Sequence, residues 1–298
     1  MKLEKGDVKK LARDRRGWVA AGVGVGVAGM GYSYARLVEP HWLDVSYHRL
    51  SVADLELGEQ WRGYKVAFLS DLHIERSGPL LPVLYVAINR VLQERPDLVL
   101  MGGDYFTRGV WNPQLGQLLR QLTQSGLRVV GVMGNHDYFG RRKDPDRIIA
   151  GFEEAGACML VNRVTPLEYN GQREWLAALD DARKGEPSLD EIASELPIGV
   201  RPLIFLSHNP DFINKLPPSY CRVMLSGHTH GGQVNLALPP LQERLNWVKF
   251  THTQHRSDFP LGWYNVNGNR LYVGRGLGLS GWQLRFNARP ELPIIELV

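Results

Sequence analysis

At 298 residues the chain can bury one large core or two modest ones, and its 44% hydrophobic and 22% charged residues are ordinary for a globular protein. Its two cysteines, Cys158 and Cys221, lie in apolar surroundings and form no CxxC pair, which argues against a disulfide framework and against a thiolate zinc site. The net charge of +4 sits wholly in residues 1–16, which hold seven basic and three acidic residues; the rest keeps 28 of the 35 basic and 28 of the 31 acidic residues, so no nucleic-acid-binding face is indicated.

The basic start runs into 19 uncharged residues, Gly17 to Ala35, ending in the small-x-small site Ser33-Tyr34-Ala35. This order is that of a secretory signal, and Arg15-Arg16-Gly17-Trp18 resembles a twin-arginine signal. The stretch is also close to the roughly 20 residues that span a bilayer, and Gly22 and Gly26 have GxxxG spacing. Residues 1–36 are therefore read as an export signal or an uncleaved membrane anchor, and residues 37–298 as the folded domain. The side of the membrane stays open.

From residue 60 onward, apolar runs of strand length end in polar residues. "KVAFLSDLH" ends in Asp71 and His73, "PDLVLMGGD" in Asp104, and "LRVVGVMGNHD" in Asn135, His136 and Asp137. "RPLIFLSHNPD" carries His208, and "CRVMLSGHTH" ends in His228 and His230. Runs this continuous suit strands buried on both faces. Helical spacing marks "LLPVLYVAINRVLQERP", "NPQLGQLLRQLTQSG" and "DPDRIIAGFEEAGA". Asn170-Gly171 and Asn267-Gly268 each separate two strand-like runs, the strongest short hairpin signal. Between them, Asp180 to Glu195 reads as a polar insertion with a capping box, Ser188-x-x-Glu191. Strand–helix alternation implies an α/β sheet with helical cover, whose ligands bind beyond the carboxyl ends of strands.

Those ends collect Asp71, His73, Asp104, Asn135, His136, Asp137, His208, His228 and His230. In extended backbone the pairs Asp71/His73 and His228/His230 would each project to one side. Carboxylate and amide oxygens with imidazoles, and no thiolates, suit Mn²⁺, Fe or Zn²⁺. Seven ligands drawn from these nine residues are too many for one ion and fit two, which at roughly 3.5–4 Å apart clamp a phosphoryl group and activate water.

With these blocks in order ("SDLH", "GGDY", "GNHD", "LSHNPD", "SGHTHGGQ"), the sequence resembles the calcineurin-like metallophosphoesterases, and most of all their bacterial membrane-associated or twin-arginine-exported branch. The resemblance runs from about Pro40 to the end and includes "RGLG" and "LRFNARPELPIIEL". It implies a four-layer α/β/β/α sandwich built on central mixed β-sheets, with the metal site at the carboxyl ends of strands. It implies two divalent ions, manganese first and zinc or iron as alternatives. Asp71, His73 and His230 would hold the first, Asn135, His208 and His228 the second, and Asp104 both. His136 would face the substrate phosphate as a catalytic residue, its ring oriented by a hydrogen bond that Asp137 accepts. One departure is that Tyr105, Phe106, Thr107 and Arg108 follow Asp104, where many members carry a further acidic residue. Arg108 and Arg275 are candidate phosphate contacts.

The implied activity is hydrolysis of a phosphomonoester or phosphodiester, lipid-linked or envelope-derived, by a metal-bridged hydroxide. An alternative is a UDP-2,3-diacylglucosamine pyrophosphohydrolase of lipid A synthesis, with Leu236 to Phe250 forming an apolar lip. A non-enzymatic, metal-stabilised envelope protein is the remaining reading; His136 backed by Asp137 argues against it.

Overall fold

The structure, a computed structural model, describes residues 22–77, 80–235 and 257–298. The proposed lip of 236–250 and the basic residues 1–16 lie outside them.

The first described element is helix α1, residues 22–37. Its side chains up to Met30 are exposed, including Val23, Val25 and Val27, but its end is docked: Ala35 is buried, its carbonyl accepts the Arg285 amide, and Tyr34 meets Phe286 edge-on. The helix passes through residue 36 without a break. Among the described residues no helix is long and apolar enough to cross a membrane.

Twelve strands follow among the described residues, in two mixed six-stranded sheets. The first sheet contains β1 (Asp44–Leu50), β2 (Lys65–Leu69), β3 (Leu98–Met101), β4 (Arg128–Gly131), β5 (Cys158–Met159) and β12 (Glu291–Leu297), in the order β1-β12-β2-β3-β4-β5. Only β12 against β2 is antiparallel. The second contains β6 (Arg163–Tyr169), β7 (Gln172–Ala178), β8 (Ile204–Leu206), β9 (Val223–Ser226), β10 (Gly262–Val266) and β11 (Asn269–Val273), in the order β10-β11-β9-β8-β7-β6. Its outer pairs are antiparallel hairpins, and both Asn-Gly turns have positive φ at both residues, as a primed two-residue turn requires.

The three helical patterns become α2 (Pro82–Glu94), α3 (Pro113–Gln124) and α4 (Pro145–Glu154). Each starts with proline, and the side chains of Asn112 and Asp144 cap α3 and α4. The insertion holds one short helix, α5 (Leu189–Glu195), capped by Ser188 accepting from the Glu191 amide.

Alternation of side chains produces the expected four layers. On β2 and β3, Ala67, Leu69, Val99 and Met101 face α2 to α4, while Val66, Phe68, Leu98 and Leu100 meet Leu206, Val223 and Leu225 of the second sheet. The outer face of that sheet (Phe205, Met224, Leu271) is covered by Ile192 of α5 and by Phe212 and Ile213 of a 3-10 turn. β3 and β9 are buried at every position, which accounts for their unbroken apolar runs. The parallel neighbours β2, β3 and β4, and across the interface β8 and β9, all end at the same rim.

Candidate metal centre

That rim gathers the sequence-selected residues. The ligand atoms of Asp71, His73 and His230 lie within 4.8 Å of one another, as do those of Asp104, His208 and His228. Asp104 joins the two groups: its Oδ2 is 3.5 Å from His73 Nε2 and 3.2 Å from His208 Nε2. His73 Nε2 and His230 Nε2 stand 3.0 Å apart, and His230 Nε2 is 3.5 Å from Asp71 Oδ1. Asn135 is buried beside them, and its Oδ1 has no hydrogen-bond donor. A buried amide oxygen without a donor is costly, and a cation would satisfy it. The oxygen and imidazole donor set, with no thiolate, fits two hard or borderline divalent ions.

The pairs two residues apart do reach one cleft, but not through extended backbone. Asp71 (φ 54°), His73 (46°), Asp104 (54°), His228 (74°) and His230 (54°) all adopt left-handed backbone, uncommon for non-glycine residues. The chain turns sharply where each strand ends, and neighbours hold the turn: Asp71 donates its amide to the Gly103 carbonyl, His73 donates its own to Asp104, and the Asp71 carboxylate accepts the His228 amide. Two glycines make room. A Cβ on Gly134 would stand 2.3 Å from the Asp104 amide nitrogen, and one on Gly227 2.3 Å from Asp71 Oδ2.

Burial and mutual charge set the protonation of this cluster. Burial pushes Asp71 up to about 6, with Asp104 adding to it and His208 opposing. Burial likewise takes His73 down to about 3 and His230 well below the usual imidazole range. Burial also tends to lift Asp104, but His208 and His73 outweigh it and hold that carboxyl well below its usual range. His208 is the reverse case: burial would lower it, yet the Asp104 and Asp71 carboxylates raise it to about 10.

His136 is half-buried at the mouth. Its Nδ1 lies 2.9 Å from the Thr107 carbonyl, which can only accept, so Nδ1 carries the proton and Nε2 is left for other work. The expected hydrogen bond from this ring to the Asp137 carboxylate is not made. The Asp137 carboxylate instead accepts four backbone amides: Gly134 and Asp104 (2.9 Å each) on Oδ2, Tyr105 (3.0 Å) and Phe106 (3.3 Å) on Oδ1. A fully buried carboxylate does better facing four donors than one exposed ring edge. Asp137 thus holds the loop bearing Asp104, not His136. The residues after Asp104 are also structural: the Tyr105 hydroxyl donates to the Met101 and Val132 carbonyls, and Thr107 Oγ1 to the His73 carbonyl.

Of the arginines considered from sequence, Arg108 is exposed, and Arg275 is spent on ion pairs with Asp44 and Glu291. Two others reach the centre and were not singled out. Arg285 is fully buried, bonds the carbonyls of Gly278 and Ala288, and places Nη2 3.4 Å from His230 Nδ1. Arg183 places Nη1 3.1 Å from His228 Nε2. The doubled aspartate and glycine of "DDARKG" were the available signal for a tight turn there.

A family model described as calcineurin-like phosphoesterase matches residues 64–232. An uncharacterized metallophosphoesterase of Bacillus subtilis (strain 168), YkuE, is 29% identical over 305 residues, spanning 97% of this chain and 99% of its own. The phosphodiesterase YaeI of Escherichia coli (strain K12) is 30% identical over 287 residues, spanning 95% and 99%. A UDP-2,3-diacylglucosamine pyrophosphatase of Chlamydia muridarum, LpxG, is 36% identical over 105 residues, spanning 32% of this chain and 29% of its own.

Proposed function

Because this chain belongs to the calcineurin-like phosphoesterase family and is a metal-dependent phosphoester hydrolase, we propose that it cleaves a phosphodiester by attack of water at a dinuclear centre. The observation that carries this reading is the position of Asp104, whose single Oδ2 serves histidines of both ligand groups. Asp71, His73 and His230 would hold one ion, Asn135, His208 and His228 the other, and Asp104 both. Bound there, two divalent ions would supply Lewis acidity toward the phosphoryl oxygens and lower the pKa of water. Manganese is our first choice of ion.

The chain's own residues supply the rest. The hydrogen bond from Nδ1 to Thr107 fixes the His136 ring, so that, with the ring protonated at both nitrogens, the Nε2 proton can pass to the departing oxygen and leave the neutral ring protonated at Nδ1. Asp137 keeps the Asp104 loop rigid, so the shared carboxylate needs no reorganisation when substrate arrives. The likeness to a phosphodiesterase over nearly the whole chain supports a diester over a monoester. The short alignment with a pyrophosphatase of a lipid-linked nucleotide makes that compound a comparison substrate.

The test is hydrolysis of bis(p-nitrophenyl) phosphate, p-nitrophenyl phosphate and UDP-2,3-diacylglucosamine by manganese-loaded protein. Turnover is expected with the diester, and chelation or Asp104→Asn should abolish it. Undiminished turnover after exhaustive removal of metal refutes the reading.

We also read residues 1–36 as a membrane anchor or export signal for residues 37–298. The basic-then-uncharged order of residues 1–35 and the exposed Val23, Val25, Val27 and Met30 of α1 support it. Fractionation with intact-mass analysis tests it: a soluble cytoplasmic protein that retains Met1 or Lys2 ends that reading.

A further inference from the structure

The turn that carries Arg183 is held by three side chains. Asp180 accepts the amides of Asp181 (2.7 Å) and Glu186 (2.8 Å) and the Tyr138 hydroxyl (2.6 Å). Asp181 Oδ1 accepts the amides of Arg183 (3.0 Å) and Lys184 (2.7 Å). Asn162 Oδ1 accepts those of Asp180 (3.0 Å) and Ser188 (3.1 Å), and its Nδ2 donates to the Glu186 carbonyl. A surface turn anchored this closely has low freedom, and what it presents at the rim is Arg183, an exposed residue whose guanidinium reaches in to His228.

Among the described residues, Arg183 makes no ion pair with a carboxylate; its side-chain contact is to His228 Nε2. The other two arginines near the centre are committed elsewhere, Arg275 to Asp44 and Glu291 and Arg285 to carbonyls. An arginine can only donate, so His228 Nε2 accepts in this contact. That arrangement cannot survive metal binding by His228. A ligating imidazole gives one nitrogen's lone pair to the metal and keeps a proton on the other. If Nε2 ligates, its lone pair is used; if Nδ1 ligates, Nε2 carries the proton. Either way the contact with Arg183 breaks, and a cation is left beside a divalent centre with no anion of its own.

From this we infer that Arg183 is the phosphate clamp of the site, a substrate-binding residue whose guanidinium takes the non-bridging oxygens of the phosphoester once metal has displaced it from His228. The inference rests on the dinuclear reading above. It also separates two effects that a merely structural residue would move together. Removing a nearby positive charge should leave metal affinity unchanged or raise it, while phosphate affinity should fall.

Arg183→Met and Arg183→Lys are the variants, measured against wild type. Manganese affinity is read by competition with a chelating dye, and inorganic phosphate binding to the manganese-loaded protein by calorimetry. For Arg183→Met we expect manganese affinity equal to or above wild type and phosphate affinity lower by about 10- to 100-fold, the worth of a charge-assisted hydrogen bond. Arg183→Lys should fall between, since it keeps the charge and loses the fork. Unchanged phosphate affinity overturns the inference, as does a joint fall of manganese affinity, phosphate affinity and melting temperature. Because phosphate binding is read without turnover, the two readings fail separately. A wild-type protein that binds phosphate through Arg183 but hydrolyses nothing sinks the proposed reaction alone. An Arg183→Met enzyme that turns over bis(p-nitrophenyl) phosphate with wild-type KM sinks the clamp alone.

Discussion

Asp137→Asn separates two accounts of one residue. Asparagine keeps the shape but replaces one carboxylate oxygen with an NH₂ group. Oδ1 and Oδ2 each hold two backbone amides, so the variant leaves one pair facing a donor. The two abandoned amides belong either to Gly134 and Asp104 or to Tyr105 and Phe106, in a site with no exposed surface. Each buried donor left without an acceptor costs about 1–3 kcal/mol, so the variant should lose about 2–6 kcal/mol. In a chain of this size about 1 kcal/mol corresponds to roughly 2 °C, so the melting temperature should drop by about 4–12 °C. Manganese affinity should fall as well, because the Asp104 loop loosens. Differential scanning calorimetry of metal-free and manganese-loaded protein, with kcat on bis(p-nitrophenyl) phosphate, provides the comparison. A variant that melts within a degree of wild type but has lost its rate would refute the argument and restore Asp137 as the partner of His136.

Three further outcomes follow from the same structure. Gly134→Ala places a methyl group 2.3 Å from the Asp104 amide nitrogen, so metal content by mass spectrometry should fall well below two ions; a fully loaded, fully active variant contradicts this crowding. Metal uptake should release protons: His208, raised to about 10, is protonated at pH 7.5 without metal and must lose that proton to ligate, and below about pH 6 Asp71 adds a second. Affinity therefore rises with pH over this range, and calorimetry in buffers of different ionisation enthalpy should find about one proton released at pH 7.5; none released is the contrary result. In native protein Ellman's reagent should titrate one thiol, the exposed Cys158, while Cys221, buried and pushed up to about 12, reacts only after unfolding; two fast thiols would overturn the packing around Cys221.

Most of the scaffold was legible because its signals are local. Unbroken apolar runs gave β3 and β9, since both faces of those strands are covered. Proline starts and side-chain caps gave α3 and α4, and Asn-Gly gave both hairpins. The metal-competent residues were visible because they cluster at strand ends. What sequence could not carry is long-range or conformational. Asp137 spends its carboxylate largely on amides more than 30 residues upstream, and no local pattern records that. The left-handed backbone at Asp71 and His230 is imposed by the surrounding loops and not by the residue types. Arg183 reaches His228 across 45 residues of chain. The closing segment carried a resemblance but no hint that β12 lies inside the first sheet.

That last placement bears on how the protein is made. β12 separates β1 from β2, pairing Asp44 with Glu291 on one side and Ala67 with Ile294 on the other. A ribosome delivers β1 and β2 before β12, yet β1 has no partner in the sheet, and β2 has only β3 on its other side, until residues 291–297 have emerged. During that interval two unpaired strand edges stand open, the condition under which chains associate wrongly. Closing the sheet late, over such a sequence distance, is intrinsically slow. A nascent chain of this protein thus needs protection from its neighbours longest at its oldest part, and trimming seven residues from 291 onward would not shorten an edge but split the sheet.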